Sequence, residues 1–129
     1  MAAKKLEVSL SDLQLAVMRV LWDRREASTT DVVEAMSRPR TLAHTTVATL
    51  LTRLERRGLL TVRRDGRQLY YRARVSEDAV RRSMVGSLLG NLFGGDARAL
   101  VAHLVRDDEV APGDMQRIKE LLRDTEGGQ

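Results

Sequence analysis

Four threonines and two arginines fall within twelve residues, at Thr45, Thr46, Thr49, Thr52, Arg53 and Arg56. At about 100° per residue of helix, Thr45, Thr49, Thr52 and Arg56 share one line, with Thr46 and Arg53 on its shoulder beside Thr49. Small hydroxyls on a helix approach base edges and thymine methyls closely, and an arginine reaches guanine or phosphate. The chemistry on offer is recognition by hydrogen bonding, with no bond made or broken. Opposite this face, Val47, Leu50, Leu51 and Leu54 repeat at i, i+3, i+4 and i+7, which is one apolar helix stripe. Threonine is a mediocre helix former, so its density on one exposed face calls for an explanation. Taken alone, these residues also fit an ordinary surface helix whose threonines are there by coincidence.

Other chemistries find little support. The chain has no cysteine, which removes disulfides, thiolate metal sites and cysteine nucleophiles. His44 and His103 stand far apart in sequence, so no metal site is expected, and His103 reads as a packed or boundary histidine. Gly90-Asn91-Leu92-Phe93-Gly94-Gly95 lacks both the Lys-Ser/Thr and the preceding strand of a phosphate loop. Asp107-Asp108-Glu109 reads as a solvated acidic turn rather than a cation site. No serine or histidine joins a nucleophile motif. The expectation is a protein that is not an enzyme and needs no cofactor.

At 129 residues and 43% hydrophobic content, the chain suits one domain, or a small domain with an appendage. Four aromatics imply an aliphatic core. No apolar run approaches the roughly 20 residues that span a bilayer, and Met1-Ala2-Ala3-Lys4-Lys5 lacks the apolar centre of a secretory signal. A soluble, cytoplasmic protein is expected. Charge is uneven: residues 1–75 carry 15 Lys and Arg against 8 acids, and residues 76–129 carry 7 against 10. Between 38 and 74, ten arginines face only Glu55 and Asp65. The N-terminal part is therefore expected to meet a polyanion.

The elements that must hold the threonine face follow in order. Ser11 is placed to cap a helix from about Asp12 to Asp23, with Gln14 completing a capping box and Leu10 and Leu15 a hydrophobic staple. Val17, Met18, Leu21 and Trp22 supply its core face, with Trp22 as a packing anchor. A minimal strand at Ala27-Ser28 precedes a second helix, capped by Thr29 or Thr30 and running through Met36, with Val32, Val33 and Met36 inward. Pro39 ends it. The threonine helix starts near Leu42 or Ala43 and is stopped by Gly58 as a left-handed cap. Two β-favouring runs, 59–64 and 67–73, flank Asp65-Gly66, which predicts a hairpin with a type I′ turn. Arg63, Arg64 and Arg67 crowd its tip, either contacting phosphates or merely discouraging edge pairing. Three helices followed by a basic hairpin is the order of a winged helix-turn-helix.

Near Ser76 the character changes, which predicts a division into a winged helix-turn-helix DNA-binding domain, 1–75, and a helical dimerisation domain, 76–129. The fold class is mainly α with a small β-hairpin. Ser76-Glu77-Asp78 caps a helix to about Leu92, with Val80, Met84, Leu88 and Leu92 at steps of four. Gly94-Gly95 breaks it before a helix from Ala97 to about Arg106 with Leu100, Val101 and Leu104. Pro112 suits the first turn of a last helix bearing Met115, Ile118, Leu121 and Leu122. Some 54 residues in three helices have little room to bury their own stripes, and a second copy would cover them. The dimerisation residues expected are Val80, Met84, Leu88, Leu92, Leu100, Leu104, Ile118, Leu121 and Leu122. Folding back onto the winged domain is the alternative.

Taken together, Leu10-Ser11-Asp12-Leu13-Gln14 through Leu21-Trp22, Leu42 through Leu59, and the hairpin ending in Tyr70-Tyr71 resemble the penicillinase-repressor (BlaI/MecI) family of bacterial winged-helix repressors. The resemblance runs from about residue 9 to 124 and is dense through the first 75. It implies a homodimer that binds a palindromic operator in double-stranded DNA and blocks transcription, as regulators of antibiotic-resistance genes do. It implies base-edge contacts for Thr46, Thr49 and Arg53, and backbone contacts for Thr45, Arg64 and Arg67, to which Arg40 and Arg56 add sequence-independent attraction. In one branch a membrane sensor protease pathway leads to repressor cleavage between Asn and Phe; that position corresponds to His103-Leu104, so this chain departs from the pair. A copper-responsive branch uses paired cysteines, which this chain lacks. The runner-up reading is a winged-helix interaction module whose basic face binds an acidic protein.

Overall fold

The computed structural model of the protein describes residues 8–38, 40–106, 113, 116, 117 and 120. Helix α1 (Asp12–Arg24) begins as its local sequence dictates. The Ser11 hydroxyl accepts from the Gln14 backbone N–H and the Gln14 side chain accepts from the Ser11 N–H, which satisfies two of the helix's orphan donors. Val17, Met18 and Leu21 are buried on one face. Trp22 is half-buried, and its indole N–H donates to the Val75 carbonyl at 2.8 Å, tying α1 to the chain beyond the hairpin.

The link from α1 into β1 (Ala27–Ser28) turns at Arg25, which adopts φ 67° and ψ −51°. Glu26 N–H donates back to the Arg24 carbonyl at 2.7 Å. Together these define a γ-turn of the rare, strained form with a positive central φ. Helix α2 (Thr29–Ala35) is capped by Ser28, not by Thr29 or Thr30 as the sequence predicts. Ser28 Oγ accepts from Asp31 N–H at 3.1 Å while Asp31 Oδ2 accepts from Ser28 N–H at 3.0 Å. That reciprocal pair consumes both groups of a buried serine, an arrangement neither threonine offers. Pro39 lies outside the described residues.

Helix α3 (His44–Arg56) starts one to two residues later than its sequence suggests, with Ala43 as an N-cap that makes no side-chain hydrogen bond. Its end is well specified. Gly58 sits at φ 80°, Leu59 N–H reaches the Leu54 carbonyl and Gly58 N–H the Glu55 carbonyl, which is a Schellman closure. Val47, Leu51 and Leu54 are fully buried against α1, α2 and the sheet, while Leu50 is half-buried.

Strands β2 (Leu60–Asp65) and β3 (Gln68–Ala73) pair antiparallel, and β1 joins the far edge of β3, giving the order β1-β3-β2. The register corrects the expected turn. Asp65 pairs Gln68, so the loop is Gly66-Arg67 rather than Asp65-Gly66. Gly66 has φ 63° and Arg67 a negative φ, which rules out type I′ and fits the II′ pattern with glycine first. Compared with the expected turn, β3 slides by two residues along β2. Such a slide leaves every side chain on its own face, so Leu60, Val62, Leu69 and Tyr71 still share a face and hydrophobic alternation cannot detect it.

Helix α4 (Glu77–Phe93) is capped by Ser76, whose hydroxyl accepts from Ala79 N–H. Two compact units divide within it, one ending at Val85 and one beginning at Gly86. Val80 is 1% exposed in the first unit's core, Met84 packs against that core, and Ser83 Oγ accepts from Val8 N–H at 2.8 Å. Val80, one of the residues expected on a pairing face, is already covered within its own chain. In the second unit, Gly94 and Gly95 turn the chain at positive φ and Asp96 caps α5 (Ala97–Arg106). Phe93 meets His103 edge-on at a ring separation of 6.0 Å. Of the last expected helix, Gln116, Arg117 and Glu120 are helical, while Met115, Ile118, Leu121 and Leu122 fall outside the described residues. No described helix is long and apolar enough to cross a membrane.

Candidate nucleic-acid interface

The outward face of α3 is built by the burial of its inward one. With Val47, Leu51 and Leu54 locked in the core, helical geometry turns Thr45, Thr46, Thr49, Thr52, Arg53 and Arg56 to solvent, and all six are exposed. Thr46, Thr49 and Arg53 follow one line at i, i+3, i+7; Thr45, Thr49, Thr52 and Arg56 follow another. At 1.5 Å per residue the ridge is about 16 Å long, and a helix about 10–12 Å across fits a major groove about 12 Å wide.

Two of the threonines have committed protons. Thr49 Oγ1 donates to the Thr45 carbonyl and Thr52 Oγ1 to the Ala48 carbonyl, each at 2.9 Å. A hydroxyl whose only hydrogen is spent on the helix presents lone pairs and a methyl outward. Such a group accepts from an adenine or cytosine amine, or packs on a thymine methyl, and does not donate to guanine. The side chain of Thr46 makes no such bond among the described residues.

Arg40, in the loop before α3, and Arg64 and Arg67, at the hairpin's end, are all exposed. Arg63 is different. Its guanidinium donates to both Glu26 oxygens, at 2.8 and 3.2 Å, and lies 4.7 Å from the centre of the Tyr70 ring. Tyr70 is its directly paired neighbour on β3. Of the three tip arginines, Arg63 thus clamps the hairpin to the turn after α1, while Arg64 and Arg67 are exposed and make no ion pair among the described residues. Alternation sets Arg63 and Arg64 on opposite faces, but nothing local marks Glu26 as the partner of either. Arg57, which sequence reading passed over, donates to the Ser9 carbonyl at 2.9 Å and holds the N-terminal segment in which Val8 and Leu10 are buried. Leu88 and Leu92 are 41% and 70% exposed, Leu100 and Leu104 half-buried, and the His103–Leu104 peptide lies inside α5.

The clamp carries a pH dependence. Hydrogen bonding and charge from Arg63 hold the Glu26 carboxyl below its usual 4.5, and Ser28's backbone N–H and hydroxyl hold Asp31 below 3.8. Both acids are depressed in the folded state. Their contribution to stability is complete above those unfolded values and is lost as pH falls through the lower folded ones. Thermal melts should therefore be flat in this respect above pH 4.5 and decline below it, with Glu26→Gln showing a shallower decline. An unchanged acid limb in that variant would mean the clamp adds nothing to stability.

Residues 10–124 match the penicillinase repressor family. The chain is 35% identical to the transcriptional regulator BlaI of Mycobacterium tuberculosis over 121 residues, covering 92% of this chain and 86% of that one. It is 23% identical to the penicillinase repressor of Staphylococcus aureus over 124 residues, covering 96% and 97%. Among solved structures it is similar to the DNA-binding domain of the repressor BlaI, with a TM-score of 0.51 at 30% identity over 59% of this chain and 93% of that one. It is also similar to monomeric Bacillus licheniformis BlaI in complex with the blaP half-operator, with a TM-score of 0.50, 30% identity and the same coverage.

Proposed function

The chain belongs to the penicillinase repressor family, and from that premise we propose that it represses as a homodimer on a palindromic operator. The family consists of transcriptional repressors, not enzymes, and the fold is their DNA-binding winged helix. Two copies of α3 would enter successive major grooves with half-site centres about one turn, ~10 bp, apart. Thr46, Thr49 and Arg53 read base edges. Thr45, Arg40, Arg56, Arg64 and Arg67 meet the backbone.

The observation that carries this reading is the threonine-arginine ridge: six exposed polar side chains on one face of a helix whose other face is fully buried. A rigid, preorganised ridge loses little entropy on docking. The relative solved on a half-operator supports the assignment of one winged unit to one half-site. Pairing is supported by α4 beyond Val85, where Leu88 and Leu92 are 41% and 70% exposed; covering what remains exposed of each would contribute about 1–2 kcal/mol.

Two measurements test it. Selection from total genomic fragments should retain a twofold-symmetric duplex, and sedimentation should give a dimer at working concentrations. A module for acidic proteins would retain no preferred duplex, and a lone monomer would remove the paired-groove geometry. For the backbone contacts, Arg64→Ala should weaken operator and random DNA alike and lower the slope of log K against log salt by about 1. A loss confined to the operator would move Arg64 from backbone to base contact.

A further inference from the structure

On the first unit, α1 and the exit of β3 frame an open cleft of about 390 Å³, within the size range of small-ligand sites. Its walls are chemically divided. Leu21, Trp22 and Val75 line it together with Arg25, Arg72 and Arg74, and no acid does. The indole is fixed, because its N–H is held by the Val75 carbonyl. Among the described residues none of these arginines has a carboxylate within ion-pair distance. Glu26, on which the charge of Arg72 acts, is bound at both oxygens by Arg63.

Arg25 adds a second and independent observation. It is the centre of the strained γ-turn, the one described residue other than glycine with positive φ. A glycine would adopt this conformation freely. Strain of this kind persists where the surroundings impose it and clusters at ligand sites. The turn sets a long cation at the mouth of a cleft already lined by two others.

We propose that this cleft binds a small aromatic carboxylate. The planar guanidinium fork matches a carboxylate through two parallel hydrogen bonds, which an ammonium group does not offer. The indole and the aliphatic floor suit a flat ring. The ligand would bear on residues 73–76, the segment through which the hairpin passes into α4. The proposal stands on the cleft and does not depend on the operator reading.

Trp22 is the chain's only tryptophan, so its fluorescence reports occupancy directly. Titration of the full chain with benzoate should give a saturable change in the millimolar range or tighter. Benzamide, with the same ring and no charge, and acetate, with the charge and no ring, should each bind at least about tenfold more weakly. Arg74→Ala should weaken benzoate by a similar factor at unchanged Tm. Arg25→Gly should weaken benzoate while raising Tm by a few degrees, because the turn is relieved as the cation is lost. No saturable change with benzoate, equal binding of benzamide, or undiminished affinity in Arg74→Ala would each overturn the proposal. So would loss of random-duplex affinity in Arg74→Ala without benzoate binding in the parent, which would make the cleft a DNA phosphate contact.

Discussion

Replacing Arg53 by alanine is expected to lower the ratio of operator to random-DNA affinity by about 5- to 150-fold, the equivalent of roughly 1–3 kcal/mol for a bidentate base contact. The side chain is exposed, one turn beyond Thr49 on the line from Thr46, and makes no ion pair among the described residues. Its loss should leave the folded state intact, so Tm should stay within about 4 °C of the parent, as befits a surface change of about ±0.5 kcal/mol. The measurement is competition binding at fixed salt with operator and scrambled duplex in parallel. Equal weakening of both would reassign Arg53 to phosphate. Thr49 offers a finer reading of the same surface. Because its hydroxyl proton is committed to the Thr45 carbonyl, Thr49→Val should keep the methyl contact and remove the acceptor. Preference should fall at an adenine or cytosine and persist at a thymine.

Leu51→Ala should produce the largest loss of stability. Leu51 is fully buried behind the ridge, in a core shared by α1, α2, α3 and the sheet. Truncating a buried leucine costs about 2–5 kcal/mol, depending on how far the cavity collapses. Domains of this size are stable by only about 5–15 kcal/mol in all, and about 1 kcal/mol corresponds to 4–8 °C in Tm for 60–100 residues. A fall of at least 10 °C is therefore expected, by about that arithmetic. Operator binding should fail on warming with every DNA-facing side chain still present, and return on cooling. A melt within a few degrees of the parent would show that α3 is not supported by this contact. The contrast with Arg53→Ala separates the two faces of one helix: one variant keeps the fold and loses discrimination, and the other loses the fold that presents it.

Where sequence spacing alone sets the physics, it was readable in advance. The Ser11–Gln14 capping box, the Gly58 closure, the buried stripe of α3 and the exposed threonine line all depend on neighbours within one or two helical turns. The fold class followed from them, as did family membership, since the central block from Leu42 to Leu59 is dense with matching residues. The Ser76 cap and the break at Gly94-Gly95 are likewise local. What the chain's own order determined is therefore the type and limits of most elements, and which side of α3 faces outward.

Tertiary structure decided the rest, because the competing local solutions were nearly equal in energy or the partner lay far along the chain. Two hairpin registers two residues apart give the same alternation, and the pairing of Arg63 with Tyr70, with no positive φ at Asp65, distinguishes the one adopted. Arg63 and Arg64 are indistinguishable by type; only Glu26, 37 residues away, makes one a clamp and leaves the other exposed. Val80 sits on an amphipathic stripe like Leu88, yet the winged core claims the first and leaves the second open. A side chain's preference for burial is written in its chemistry, but which surface receives it is settled only when distant segments meet.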